Sequence, residues 1–215
     1  MDLEVKICGL NSSSALAAAV EGGVRYVGLV FYPQSPRYLS VADAAALAAD
    51  VPANVTKVGL FVDADDATIG DVIAGCPLDL LQFHGVEDPE RVRSARATFG
   101  LPVMKAIRLA GPDDLAQARD YVGAADRLLF DAKPPAAMTT ALPGGNALAF
   151  DWQLLEGTSW PLPWMLSGGL DAGNLAEAVA TTGAQAVDVS SGVEDRPGHK
   201  VPELVSAFLA AATKL

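Results

Sequence analysis

The sequence is poor in the residues that most often announce a chemistry. Two cysteines, Cys8 and Cys76, are too few for a disulfide framework and read as thiols in a reducing cytosol. Two histidines, His84 and His199, cannot build a site of several imidazoles, so no metal centre is expected. Basic residues number 15 against 26 acidic ones, a formal charge of -11, so the Lys/Arg clusters that neutralise nucleic-acid phosphates are missing. No uninterrupted apolar run approaches the roughly 20 residues a bilayer span takes. The start, MDLEVKICGL, lacks a basic segment followed by an apolar stretch, so no secretory signal is expected. These absences together point to a cytoplasmic protein with no nucleic-acid or membrane partner.

The 215 residues do hold ample apolar material, 51% hydrophobic against 19% charged, enough for a large core. No composition shift divides the chain, so one domain over 1–215 is expected. Short runs rich in Val, Ile, Leu and Phe recur at 3–7, 25–31, 56–62, 78–83, 102–107, 126–130, 163–167 and 185–189. Ala-rich stretches of helical period fall between them, near 12–21, 40–50, 65–75, 87–98, 113–122, 151–156, 172–182 and 200–213. Ser12, Ser40, Asp113 and Asp171 are N-cap types ahead of four of these. Near-continuous apolar strands alternating with helices mean a parallel sheet under helices. Units of roughly 27 residues are the size of a compact α/β barrel of the (β/α)8 (TIM-barrel) kind. The least regular stretch, 133–149, reads as a long functional loop.

Active sites of such barrels lie where the strands end. The residues there are Cys8-Gly9-Leu10, Tyr32 to Tyr38, Asp63, His84-Gly85, Arg108, Asp131-Ala132-Lys133, Ser167-Gly168-Gly169 and Ser190-Ser191-Gly192. Gly168-Gly169 and Ser190-Ser191-Gly192 follow the last two strands, where barrels of this type commonly cradle a phosphate through backbone N–H groups and hydroxyls. A phosphorylated small molecule is therefore the expected ligand. Cys8 closes the first strand and can serve as nucleophile or general base, whereas Cys76 precedes a strand and reads as structural. Asp131 closes the sixth strand as a candidate general acid. Arg37, in a loop stiffened by the nearby Pro33 and Pro36, is either a surface cation or a bidentate clamp for a carboxylate. His84 either orients substrate or satisfies a local turn.

The ordered set of motifs resembles a known family. Val5-Lys6-Ile7-Cys8-Gly9-Leu10, Gly28-Leu29-Val30-Phe31 with Ser35-Pro36-Arg37-Tyr38, Lys57 to Val62, and Leu81-Gln82-Phe83-His84-Gly85 are similar to the motifs of the phosphoribosylanthranilate isomerases of tryptophan biosynthesis. So are Phe130-Asp131-Ala132-Lys133, Phe150-Asp151-Trp152, Ser167-Gly168-Gly169-Leu170 with Asn174, and Asp188 to Glu194. The resemblance implies a (β/α)8 barrel, monomeric or homodimeric. It also implies an Amadori rearrangement of N-(5-phospho-β-D-ribosyl)anthranilate that uses no metal or organic cofactor. It further implies Cys8 as the base for the C2′ proton, Asp131 as the acid for the furanose ring oxygen, and Arg37 as the anthranilate carboxylate clamp. His84 is implied at the substrate, and Gly168, Gly169, Ser190, Ser191 and Gly192 around its phosphate. The chain departs from the family pattern at Gly144-Gly145-Asn146-Ala147, where Gly-Gly-Thr-Gly is usual, and at Asn11-Ser12-Ser13-Ser14.

Other chemistries compete on the same barrel. A metal-dependent epimerase needs more imidazoles than the chain has. A Schiff-base aldolase has candidates in Lys6, Lys105 and Lys133, near strand ends. A related isomerase with two phosphate sites needs a repeat that the first half, lacking Gly-Gly or Ser-Gly after strands three and four, does not offer. A barrel that only binds is the non-enzymatic alternative.

Overall fold

The apolar runs become eight parallel strands: β1 (Glu4–Cys8), β2 (Tyr26–Val30), β3 (Thr56–Phe61), β4 (Leu80–Phe83), β5 (Val103–Leu109), β6 (Arg127–Ala132), β7 (Trp164–Leu166) and β8 (Ala186–Val189). They close in sequence order, β8 returning to β1 through pairs such as Ile7 with Val189. The computed structural model describes residues 3–134, 144–146 and 148–215. Among the described residues seven α-helices lie between and after the strands: α1 (Ser13–Glu21), α2 (Val41–Ala49), α3 (Asp66–Gly75), α4 (Pro89–Phe99), α5 (Pro112–Gln117), α6 (Leu175–Thr182) and α7 (Pro202–Ala212). A short hairpin, β9 (Glu194–Arg196) with β10 (His199–Lys200), follows β8. Among the described residues no helix is long and apolar enough to cross a membrane.

Side chains alternate across each strand, and that alternation sorts the core into layers. Val5, Ile7, Val27, Leu29, Val103 and Ile107 face the helices in one large cluster. Tyr26, Val58, Leu80, Met104, Ala106, Leu129, Met165 and Ala186 fill the barrel interior. Above them Cys8, Val30 and Leu60 form the last interior layer under the rim. Even-numbered positions of β1, β4 and β8 therefore point inward, which aims Lys6 and Cys8, Gln82, and Asp188 at the barrel axis. Odd-numbered Lys105 lies on the other face of β5.

Three local expectations shift. Ser12 and Ser40 do cap α1 and α2, accepting from Ala15 N and Asp43 N. Asp113, however, sits inside the first turn of α5, whose cap is Gly111. Asp171 instead closes the turn before α6, its Oδ1 accepting from Gly173 N and Asn174 N, and the helix starts at Leu175. The stretch 151–156 forms a single 3₁₀ turn, Trp152–Leu155. Gly157 at φ +64 turns the chain aside directly after it, and Pro161 and Pro163 cannot continue a helix. Most of the loop expected at 133–149 lies outside the described residues.

Candidate active site

A cavity of about 730 Å³, counted to its open mouth, lies at the C-terminal ends of the strands. That is the size range of small-molecule sites. Cys8, Arg37, His84, Asp131, Gly168, Gly169, Ser190 and Ser191 all line it. Gly192 does not. A Cβ on Gly192 would fall 1.9 Å from the Leu170 carbonyl oxygen, so this residue lets the loop after β8 pack against the loop after β7.

Cys8 is the last residue of β1, buried, and two positions beyond Lys6 on the same inward face. Lys6 is wholly buried and its ammonium donates to Asp188 Oδ1 at 2.8 Å. Asp188 Oδ2 accepts from Ser167 Oγ at 3.1 Å. Burial pushes the Cys8 thiol above its ordinary value, while the ammoniums of Lys6 and Lys200 pull the other way and Asp188 adds to the rise. Burial also disfavours the Lys6 charge, but Asp188 and Cys8 outweigh it and hold the ammonium above its usual range. A thiolate formed at Cys8 thus has a permanent cation beside it. Cys76, also buried, caps α3 away from the cavity.

Asp131 lies in β6 rather than after it, pointing inward at 5% exposure. Its Oδ2 meets His84 Nε2 at 3.1 Å, and its Oδ1 accepts from Ala132 N at 2.9 Å. His84 Nδ1 meets Gln82 Nε2 at 3.0 Å. His84 is thus held by partners on both ring nitrogens, and it lines the cavity. Gly144 covers this pair so closely that a Cβ would sit 2.7 Å from His84 Nε2 and 2.9 Å from Asp131 Oδ2. Only glycine can approach that near.

Arg37 is buried, not a surface cation. The bidentate pairing expected of its guanidinium is already made inside the protein. Nε and Nη2 donate to the two oxygens of Glu194, each at 2.8 Å, and Nη2 also donates to Gly145 O. Lys200 pairs with Glu194 as well and donates to Ser190 O. Burial opposes the Glu194 charge, but Arg37 and Lys200 outweigh it and hold the carboxyl below its ordinary value. Burial likewise draws Lys200 down, against the pull of Glu194. These three side chains carry two positive charges to one negative.

The two loops expected to hold a phosphate face the cavity. Gly168 and Gly169 both take left-handed φ values, +91 and +63, which favour glycine. Asn174 pins this loop, its Nδ2 donating to Gly169 O at 2.8 Å. In the opposing loop Ser190 Oγ donates to Cys8 O at 3.0 Å, so that hydroxyl proton is spent on β1, leaving Ser191 as the hydroxyl not tied there. Lys6, Gln82, Asp188, Glu194 and Lys200 support the site and were given no such role from the sequence. The inward parity of β1, β4 and β8 was the available signal for the first three.

The lysines of an imine mechanism are placed elsewhere. Lys6 is locked to Asp188. Lys105 donates to Glu87 and Gly85 O on the helix-facing side, and burial lowers its ammonium's value. Lys133 is exposed and paired with Asp114. Among the described residues none of them lines the cavity.

The family model and the most similar relatives point to one family. A family model described as N-(5'-phosphoribosyl)anthranilate isomerase matches residues 5–211. The N-(5'-phosphoribosyl)anthranilate isomerase of Rhodospirillum centenum is 62% identical over 215 residues, covering 100% of both chains. A phosphoribosyl anthranilate isomerase crystallised with reduced 1-(o-carboxyphenylamino)-1-deoxyribulose 5-phosphate is 32% identical with TM-score 0.83, over 99% of this chain and 100% of that one. A monomeric form of the dimeric enzyme from Thermotoga maritima is 33% identical with TM-score 0.82, at the same coverage.

Proposed function

The chain belongs to the N-(5'-phosphoribosyl)anthranilate isomerase family, and on that premise we propose how its cavity performs the Amadori rearrangement of tryptophan biosynthesis. The observation that carries this reading is the pairing of two proton-handling groups in one cavity: a thiol beside a buried ammonium, and a carboxyl held by an imidazole. Asp131 gives a proton to the furanose ring oxygen. The C1′–oxygen bond breaks onto that oxygen, and the anthranilate nitrogen's electron pair forms a C1′=N iminium. The Cys8 thiolate then takes the C2′ proton. Its C–H electrons form the C1′=C2′ bond, and the iminium pair returns to nitrogen. The resulting enol tautomerises to the ketone, 1-(2-carboxyphenylamino)-1-deoxy-D-ribulose 5-phosphate.

Binding follows from charge. The surplus positive charge of the Arg37–Glu194–Lys200 cluster attracts the anthranilate carboxylate, with Glu194 holding the guanidinium in place. The loops of Gly168, Gly169, Ser190 and Ser191 receive the phosphate, and Gly192 keeps them together. This division is supported by the usual placing of phosphate after the last two strands of such barrels and by the phosphorylated ligand of the related crystal structure. No step calls for a metal or an organic cofactor.

The test follows anthranilate fluorescence as purified protein consumes substrate. Positioned acids and bases contribute about 10²- to 10⁴-fold, so Cys8→Ser and Asp131→Asn should each lose at least about a hundredfold in kcat. More than about a tenth of wild-type kcat in either variant would remove that residue from its role.

A further inference from the structure

Gln82 is wholly buried on β4, two residues before His84 and on the same face. Nothing in the mechanism uses it. Its Nε2 lies 3.0 Å from His84 Nδ1, and its Oε1 is buried without a hydrogen-bond partner among the described residues. A buried amide oxygen without a partner is costly, and the contact the amide does make is with His84 Nδ1.

We propose that Gln82 is a positioning residue that locks His84 as its Nε2–H tautomer, so that His84 donates to Asp131 throughout the reaction. This rests on the assignment of Asp131 as the acid. Asp131 Oδ1 already accepts from Ala132 N. Once Asp131 has given its proton away it is an acceptor-only carboxylate, and its Oδ2 needs an N–H at His84 Nε2. A neutral imidazole carries one proton, so Nδ1 must then accept, and among the described residues the group placed to donate to it is the Gln82 amide. The row of donors runs Gln82 to His84 to Asp131. As the carboxylate charge appears, the bond from Nε2–H strengthens and favours the proton's departure. With the amide reversed, Nδ1 would carry the proton, and the bare Nε2 would face the new carboxylate and repel it.

The chain's two histidines make the tautomer directly readable. In ¹⁵N-histidine-labelled protein His199, exposed and paired with Asp195, is assigned by its loss in His199→Asn. The remaining imidazole should be protonated on Nε2. Gln82→Met removes the donor and should lose that preference. Gln82→Glu keeps the shape but only accepts, and should move the proton to Nδ1. Both should lower kcat by about 10- to 100-fold with KM within about threefold, as loss of a tautomer-setting partner does. A wild-type His84 protonated on Nδ1 would overturn the proposal. So would variants whose tautomer is unchanged, or whose tautomer moves while kcat does not. The tautomer is read without turnover, so an inactive wild-type protein showing Nε2–H would sink the isomerase reading alone.

Discussion

Replacing Lys6 by methionine separates its two duties, stability and catalysis. A methyl placed on Gly28 would lie 3.0 Å from Cys8 Sγ and 3.2 Å from Lys6 Nζ. The two atoms are therefore within about 6 Å, where Coulomb's law at an effective dielectric of about 20 gives about 2.8 kcal/mol. Losing the cation therefore raises the thiol further above its ordinary value. The limb of the kcat/KM profile that follows thiolate formation should move to higher pH, and activity below it should fall about a hundredfold, the factor that about 2.8 kcal/mol makes. The same substitution leaves Asp188 buried with Ser167 Oγ as its remaining side-chain donor, at a cost of about 3–5 kcal/mol out of a total stability of about 5–15 kcal/mol. Thermal melts must therefore accompany the kinetics. The double variant Lys6→Met/Asp188→Asn removes both charges and, since Asp188 raises the thiol, its limb should fall between wild type and the single variant. The assay is loss of anthranilate fluorescence across pH. A folded Lys6→Met enzyme with an unmoved limb would refute the electrostatic role of Lys6 and leave it a purely structural one.

Arg37→Ala should raise KM far more than it lowers kcat, because a carboxylate that does not react is held alike in ground and transition states. An analogue lacking that carboxylate should be indifferent to the change, and equal losses for both compounds would mean Arg37 acts by packing alone. Glu194, whose carboxyl sits below its ordinary value, lends stability that is full above about pH 4.3 and is lost as pH falls through its lower folded value. Acid unfolding followed by circular dichroism should therefore be less steep in Glu194→Gln, and an unchanged acid limb would contradict the ion cluster. Gly192→Ala forces a methyl against the Leu170 carbonyl, which should cost about 1–3 kcal/mol and weaken inhibition by inorganic phosphate. A normal melting temperature would show that the loop yields freely. Cys76→Ser should be kinetically silent, and a kinetic loss matching that of Cys8→Ser would undo the distinction between the two thiols.

The sequence by itself determined the strands, their order and which of their ends carry reactive groups. Runs of Val, Ile, Leu and Phe separated by helical spacing leave few alternatives to a closed parallel sheet, and each observed strand falls within two residues of the expected bounds. Local signals failed where a competing local structure won, as at Asp171, whose carboxylate serves a turn, and at 151–156, where Gly157 ends the helix after one turn. What only the tertiary structure decided is which groups meet. Lys6 and Asp188 are 182 residues apart, and Arg37 and Glu194 are 157 apart. Neither pairing leaves a trace in local spacing, because it is barrel closure and the stagger between strands that bring them face to face. Parity along a strand says that Gln82, like Lys6, points inward. It does not say that an imidazole will lie at one side of the Gln82 amide, or that Arg37 will spend its fork on a carboxylate of its own chain. Those contacts belong to the packed interior, where most buried polar groups find a partner, and the partners available are set by the fold as a whole.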